Sequence, residues 1–173
     1  MRIRDLQIDD AAVVARLHVQ TWHDTYQEMM PPEMLARMTI ENMSTFWRQA
    51  LASGHEWPQN FGAENEKGEL LGWCSLGKPR TENKKGLELW AINIPKAHQK
   101  LGVGKMLLLE AMRRVRAAGE NAMYLWVVDK NQNAIDFYLR FGAALTKEEK
   151  AERGVREIAM EWSDLECELE KIK

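Results

Sequence analysis

The segment from residue 87 to residue 118 constrains the fold of this chain more than any other. It reads as a strand over 87–94, a turn with two glycines, and an amphipathic helix from about Val103 to Ala118. Apolar residues recur on one side of that helix at spacings of three and four, so this side faces a core. They are Leu107, Leu108, Ala111, Met112 and Val115. A strand that leads through a tight turn into such a helix indicates a layered α/β domain.

The rest of the chain predicts six further strands and four further helices. We expect the strands at residues 2–8, 59–64, 70–77, 123–128, 143–146 and 155–162, and the helices at 10–26, 32–38, 40 to about 54, and 133–140. Their order predicts a mixed α/β fold, in which a mostly antiparallel central sheet carries helices on both faces. A chain of 173 residues fits a single domain. We place that domain at residues 1–162, followed by a C-terminal tail at 163–173 that is either frayed or a short surface helix.

Charge and composition exclude several kinds of partner. A net charge of −2 argues against nucleic acid as the main partner, because duplex binders carry a basic surface. The N-terminus lacks the apolar run of a signal peptide, and no apolar run approaches the ~20 residues of a membrane span. We therefore expect a cytoplasmic protein with no membrane partner. The two cysteines and four histidines show no ligand spacing, so we expect no metal.

The turn before the long helix has the composition of an anion site. Glycine lets backbone amides approach a ligand, and the free amides and dipole of a helix N-terminus favour negative charge. The candidate residues are Gln99, Lys100, Leu101, Gly102, Val103, Gly104 and Lys105. A Rossmann loop would need glycine where Leu107 stands, and a Walker A loop would need Ser or Thr in place of Met106. Two glycines alone are also compatible with a plain tight turn.

A resemblance to a known family decides between an anion site and a plain tight turn. The pattern Gln-x-x-Gly-x-Gly after a strand resembles the acetyl-CoA pyrophosphate loop of the GNAT family of N-acetyltransferases. A second signature of that family follows at the right separation, as Asn131, Ala134, Phe137, Tyr138 and Gly142. The N-terminal third is similar to a bacterial branch of the family in Leu17, His18, Val19, Trp22, Tyr26, Pro31 and Trp47. The resemblance extends to about Trp162.

The resemblance implies a fold, a cosubstrate and a reaction. In the GNAT fold two sheet strands splay apart and admit the coenzyme. Acetyl-CoA would then be the cosubstrate, and its acetyl group would pass directly to a primary amine of a small molecule, peptide or protein. The pantetheine arm would pair with the backbone of Ile92, Asn93 and Ile94, and Asn131 would contact this arm while capping its helix. A longer acyl-CoA substrate and a non-catalytic acyl-CoA sensor are the alternatives, and a homodimer is left open.

Two side chains are candidates for the chemistry. The resemblance implies that Tyr138 is the general acid that protonates the departing thiolate, although a core aromatic is the structural alternative. Glu88 lies eleven residues before Gln99, where some family members carry a glutamate, and is the candidate general base. Water or a histidine is the alternative base. Trp22 and Tyr26 share a helix face and would line the acceptor pocket, or else belong to the core.

Strict alternation makes one further prediction about the strand at 87–94. It would place Glu88, Trp90, Ile92 and Ile94 on one face of the sheet, and Leu87, Leu89, Ala91 and Asn93 on the other. Both faces are largely apolar, which indicates a covered central strand.

Overall fold

The computed structural model describes residues 1–82, 84–152 and 154–172. The strands are β1 (Arg2–Asp5), β2 (Gln59–Glu64), β3 (Leu70–Gly77), β4 (Leu87–Asn93), β5 (Met123–Val128), β6 (Ala144–Glu152) and β7 (Val155–Trp162). The helices are α1 (Ala11–Tyr26), α2 (Pro32–Ala36), α3 (Ile40–Ala52), α4 (Val103–Ala117), α5 (Gln132–Arg140) and α6 (Leu165–Lys171). Short 3₁₀ turns at Ile8–Asp10 and Lys96–His98 precede α1 and the glycine turn.

The strands form one seven-stranded sheet in the order β1-β2-β3-β4-β5-β7-β6. Every neighbouring pair is antiparallel except β4 and β5, which run parallel. The predicted mixed, mostly antiparallel sheet is therefore confirmed. The single parallel pair lies at the centre, and the chain between its strands contains α4, as a parallel connection requires.

Two separate cores show that helices cover both faces of the sheet. On the first face, α4 buries the predicted stripe from Leu107 to Val115 against β2 to β5, together with side chains of α5 and α6. On the second face, α1 and α3 pack Val14, Ala15 and Trp47 against Leu70 and Trp73 of β3. Burying apolar area on both sides stabilises a sheet whose central strands are apolar on each face.

Local sequence signals account for most element ends. The Thr39 side chain accepts a hydrogen bond from the Asn42 amide and so caps α3. The β2–β3 turn is closed by Asn65, whose side-chain oxygen accepts from the Lys67 and Glu69 amides, while Gly68 adopts a left-handed φ of +79°.

The two terminal elements differ most from the expected pattern. Strand β6 runs over Ala144–Glu152, well beyond the predicted 143–146. It is the edge strand beyond β7, and its charged middle suits an edge, where side chains face water. The last residues form α6, whose Leu165 is 0% exposed and packs into the first-face core with Leu169 and Ile172. The segment after Trp162 is therefore a helix packed on the domain.

Within the described ranges, no helix combines the length and apolar character needed to cross a membrane. Those same ranges contain no cluster of three or more His, Cys, Asp or Glu side chains able to hold a metal ion.

Candidate active site

Strands β4 and β5 pair only at their first residues. Their register contains two pairs, Leu87 with Met123 and Glu88 with Tyr124. Beyond this point β4 continues to pair with β3 as far as Asn93, while β5 pairs with β7 along its whole length. Among the strands that the structure describes, none pairs with the β5-facing edge of β4 from Leu89 onward. We call the point where the two strands part the β4–β5 fork; its open side can accept an extended, peptide-like ligand.

A β-bulge in β4 changes which side chains face each core. Ser75 pairs with Ala91 and Leu76 pairs with Leu89, so Trp90 is the extra residue. After the bulge, Ile92 and Ile94 pack on the first-face core, the side that also holds Leu87 and Leu89, whereas Ala91 packs on the second. The predicted strict alternation is thus wrong, because one inserted residue shifts the pattern by one. The bulge lies beside the open edge of β4.

The turn before α4 leaves backbone amides ahead of the first helical hydrogen bond. Lys100 has a φ of 61° and Gly102 a φ of 85°, so two residues of this turn adopt left-handed conformations. The first helical hydrogen bond runs from the Met106 amide to the Gly102 carbonyl, which places the amides of residues 103–105 ahead of the bonded ladder. Successive amides in such a turn form an anion-binding concavity. Lys100 and Lys105 are exposed beside it and add positive charge.

Gln99 and Gly104 serve the loop in ways that the sequence pattern does not reveal. The Gln99 side chain donates to the Ile94 carbonyl at 3.0 Å and so ties the loop to the end of β4. A Cβ on Gly104 would lie 3.1 Å from the Phe137 ring and 3.2 Å from Ile94 Cδ1. Gly104 therefore permits close packing of α4 on Ile94 and Phe137. At Gly102 a Cβ would meet open space, and the left-handed φ is what favours glycine there.

Tyr138 lies on α5 against the first-face core and is 8% exposed. Its ring meets those of Phe137 and Trp162 edge-on, at centroid distances of 5.2 and 5.9 Å. Burial raises the pKa of Tyr138, and the nearby Tyr26 hydroxyl and Cys74 thiol raise it further. The hydroxyl is therefore protonated at neutral pH and available to donate a hydrogen bond.

Asn131 connects the α5 terminus to α1. Its side-chain oxygen accepts from the Ala134 amide at 3.2 Å, which confirms the predicted N-cap. Burial raises the pKa of Tyr26, and a hydrogen bond from the Asn131 side chain opposes this effect. The Tyr26 hydroxyl therefore lies near Asn131, and Tyr26 contributes to the raised pKa of Tyr138.

Trp22 and Tyr26 belong to an aromatic cluster that extends across α1, α3 and β3. Their rings lie 5.1 Å apart, as their spacing on one helix face predicts. His18 sits edge-on to Trp22 at 6.0 Å and to Trp73 at 5.0 Å. Its Nδ1 accepts a hydrogen bond from Trp47 Nε1, so the neutral ring carries its proton on Nε2. Burial lowers the pKa of His18 to about 4.

Glu88 is 0% exposed and fully engaged by two neighbours. Its Oε1 accepts from the Arg80 guanidinium at 2.9 Å (Nε) and 2.5 Å (Nη2). Its Oε2 accepts from the Arg80 amide at 2.8 Å and from the Tyr124 hydroxyl at 3.0 Å. Burial, and then the negative charge of Glu88, raise the pKa of Tyr124. A carboxylate has about four lone-pair sites, so this one is saturated with donors.

The sequence prediction included neither hydrogen-bond partner of Glu88. Tyr124 alternates with the first-face core residues Met123 and Leu125, and that pattern already assigns it to the face opposite α4. The parallel register then places it beside Glu88. Arg80 carries no comparable signal, because it comes from an irregular loop whose path depends on the contacts it makes.

The sequence matches a family model and a curated bacterial relative. The family model described as the acetyltransferase (GNAT) family matches residues 19–143. The uncharacterized N-acetyltransferase YuaI of Bacillus subtilis (strain 168) is 30% identical over 168 residues, covering 94% of this chain and 93% of its own.

Two solved structures share the fold. The paia N-acetyltransferase of Thermoplasma acidophilum, crystallised with coenzyme A, is 21% identical with a TM-score of 0.72, covering 94% of this chain and 98% of its own. The yncA protein of Salmonella typhimurium, crystallised with its cofactor acetyl-CoA, is 19% identical with a TM-score of 0.69, covering 94% and 93%. Because the family model spans most of the chain and the Bacillus relative matches over nearly its whole length, this chain belongs to the acetyltransferase (GNAT) family.

Proposed function

We propose that this enzyme transfers the acetyl group of acetyl-CoA directly to a primary amine. The observation that carries the proposal is the open edge of β4, which leads into a turn whose amides stand ahead of the hydrogen-bonded ladder of α4 and whose Gly104 packs against Ile94 and against Phe137 of α5. Family membership supports acyl transfer, and relatives of the same fold were crystallised with coenzyme A or acetyl-CoA.

The coenzyme binds along β4 and the glycine turn. The amides of residues 100–105 receive the diphosphate, and Lys100 and Lys105 add charge. The pantetheine arm continues the sheet by pairing with the backbone of Ile92, Asn93 and Ile94, on the edge that β5 has left. Asn131 contacts the arm from the α5 side. Gln99 acts through the Ile94 carbonyl, which it holds in position.

The chemistry takes place where β4 ends. The amine nitrogen attacks the thioester carbonyl carbon, and the backbone amide of Ile94 or a neighbour stabilises the oxyanion. The carbon–sulfur bond then breaks, Tyr138 gives its hydroxyl proton to the sulfur, and Tyr138 regains a proton from solvent. A tyrosine is a weaker acid than a thiol, since their ordinary pKa values are about 10 and 8.5. Tyr138 therefore lowers the barrier chiefly by hydrogen bonding to the charge that develops on sulfur.

The proton of the attacking amine needs an acceptor. The role of Glu88 as that base stays a prediction. To take the proton, its carboxylate would first have to release one of its four donors. His18 is occupied at Nδ1 by Trp47 and protonated at Nε2, so it offers no free lone pair. The contacts of Glu88 and His18 therefore favour water as the group that takes the proton.

The acceptor pocket is assigned to the end of α1. Tyr26 reaches Asn131, and Trp22 lies directly against Tyr26. Their rings, tilted at 58° to each other, provide an apolar wall near the coenzyme, on which an alkyl or aromatic amine can pack.

A panel of amines tests the proposal. The panel contains peptides with free N-termini, lysine derivatives, polyamines, amino acids and aminoglycosides, each with acetyl-CoA. Free thiol is followed with a thiol-reactive dye, and the amine product is identified by mass spectrometry. We expect at least one amine to release thiol and to gain one acetyl group. Tight acetyl-CoA binding with no transfer to any amine would instead indicate a sensor, and turnover only with longer acyl-CoA would indicate a different donor.

A further inference from the structure

The buried carboxylate of Glu88 lies at the β4–β5 fork. Glu88 and Tyr124 are the last register pair of the two strands, after which β4 and β5 separate. The Tyr124 hydroxyl donates to Glu88 at 3.0 Å, so a side-chain hydrogen bond joins the strands at the residue where their pairing ends.

The same carboxylate fixes the β3–β4 loop, whose described residues are 78–82 and 84–86. Arg80 contributes three of the four donors, one from its backbone amide and two from its guanidinium. A buried carboxylate with all four lone-pair sites occupied avoids the cost of an unpaired charge, and removing one partner would restore that cost. Arg80, Glu88 and Tyr124 are called the Glu88 cluster below.

Further contacts connect this loop to the bulge and to β5. Trp90 donates from Nε1 to the Lys78 carbonyl at 3.1 Å, and the Arg80 guanidinium lies 5.0 Å from the centre of its ring. Trp126 Nε1 donates to Thr81 Oγ1 at 3.1 Å. The loop therefore spans the fork, with the bulge residue of β4 on one side and β5 on the other.

One more cation supports the same arrangement. The Lys84 side chain is 8% exposed, pairs with Glu148 at 2.6 Å, and lies 5.1 Å from the Tyr124 ring and 5.6 Å from the Trp126 ring. Among the described residues, Arg80 and Tyr124 are the charged or titratable groups in contact with the Glu88 carboxylate, and Lys84 lies beyond the tyrosine ring.

We infer that Glu88, held by Arg80 and Tyr124, is a positioning residue that fixes the β4–β5 fork and the bulge at Trp90, and does not take the proton of the amine. This inference rests on the proposed function, because the backbone it positions is the edge on which the pantetheine arm would lie. The cluster fixes the residue at which β4 leaves β5. It thereby sets the direction of the unpaired backbone amides and carbonyls of β4. A small displacement there is costly, since misplacing reactants by ~1 Å can lower a rate by roughly 10²-fold.

The pH dependence of kcat/KM separates positioning from proton transfer. The variants are Glu88→Gln, Arg80→Gln and Tyr124→Phe, with Glu82→Gln as a matched control, because Glu82 is an exposed carboxylate of the same loop. We expect all three cluster variants to lower kcat/KM by about 10-fold to 10²-fold, each by the same factor at every pH. The control should behave as wild type. A deficit in Glu88→Gln that disappears at high pH, with Arg80→Gln and Tyr124→Phe active as wild type, would overturn the inference and identify Glu88 as the base.

Hydrogen exchange tests the cluster without any transfer reaction. The Arg80 amide is bonded to Glu88 Oε2, so peptides covering residues 78–82 should exchange faster in Glu88→Gln and in Tyr124→Phe than in wild type or Glu82→Gln. Unchanged exchange in both cluster variants would contradict the inference even if the enzyme is active. A wild-type protein that fails to bind acetyl-CoA would refute the proposed function instead, and the exchange result would still decide the role of the cluster.

Discussion

Alanine at Gly102 should remove acetyl-CoA binding at a modest cost in stability. Gly102 has a φ of +85°, and a Cβ placed there would meet nothing within 4 Å. The cost of Gly102→Ala is therefore backbone strain alone, roughly 1–2 kcal/mol for an L-residue in the left-handed region. For a domain of this size the melting temperature changes by about 2–4 °C per kcal/mol, so we expect a decrease of roughly 2–8 °C.

Gly119 provides a control that matches Gly102 in backbone conformation and in the open space around an added Cβ. It also has a φ of +85° with nothing within 4 Å of an added Cβ, but it lies just after the C-terminus of α4, at the end of that helix opposite the loop. Gly119→Ala should lose the same stability as Gly102→Ala. Only in Gly102→Ala would the added methyl stand on the loop whose amides receive the diphosphate, where it would hinder the approach of the diphosphate.

Thermal melts with and without acetyl-CoA provide the assay. At about 100 times its Kd, a ligand that binds only the folded state contributes ~2.7 kcal/mol, which raises the melting temperature by roughly 5–10 °C. Wild type and Gly119→Ala should show this increase, and Gly102→Ala should show little of it. A full increase in Gly102→Ala would refute the assignment of the diphosphate to this loop.

The remaining predictions concern Tyr138 and His18. Tyr138→Phe should keep the acetyl-CoA melting shift but lose roughly 10²-fold in kcat, and wild-type turnover would make Tyr138 a structural residue only. Burial lowers the pKa of His18 from 6.5 to about 4. As the pH drops, the unfolded chain therefore binds a proton at this histidine before the folded chain does. The free energy of unfolding should fall between about pH 6.5 and about pH 4, by up to roughly 3 kcal/mol. His18→Gln, which keeps an acceptor for Trp47, should reduce this acid sensitivity in urea unfolding. Equal sensitivity in wild type and His18→Gln would contradict the burial argument.

Local patterns predicted those parts of the fold that depend on neighbouring residues. Periodicity and caps placed β2, β3, β5 and α4 to within a residue, because a half-buried helix and covered strands carry a strong apolar signal. Strand β6 was predicted too short because the charged residues from Lys147 to Lys150 suit an edge and have no apolar pattern.

The site was harder to predict wherever it depends on contacts between distant segments. The bulge at Trp90 has no local signature, since it arises from the register of β4 against β3. The Arg80–Glu88 contact joins an irregular loop to a strand. The sequence could therefore single out Glu88 as an unusual charge in an apolar strand, but it could not show that every lone pair of that charge is occupied.

Direct transfer between two bound substrates is tested most directly by initial-rate kinetics with acetyl-CoA and the best amine of the panel, each varied at several fixed concentrations of the other. A ternary complex predicts reciprocal plots that intersect, with one acetylated amine formed for each thiol released. Parallel lines would mean that an acetyl-enzyme forms first. That result, or thiol release without any acetylated amine, would contradict direct transfer.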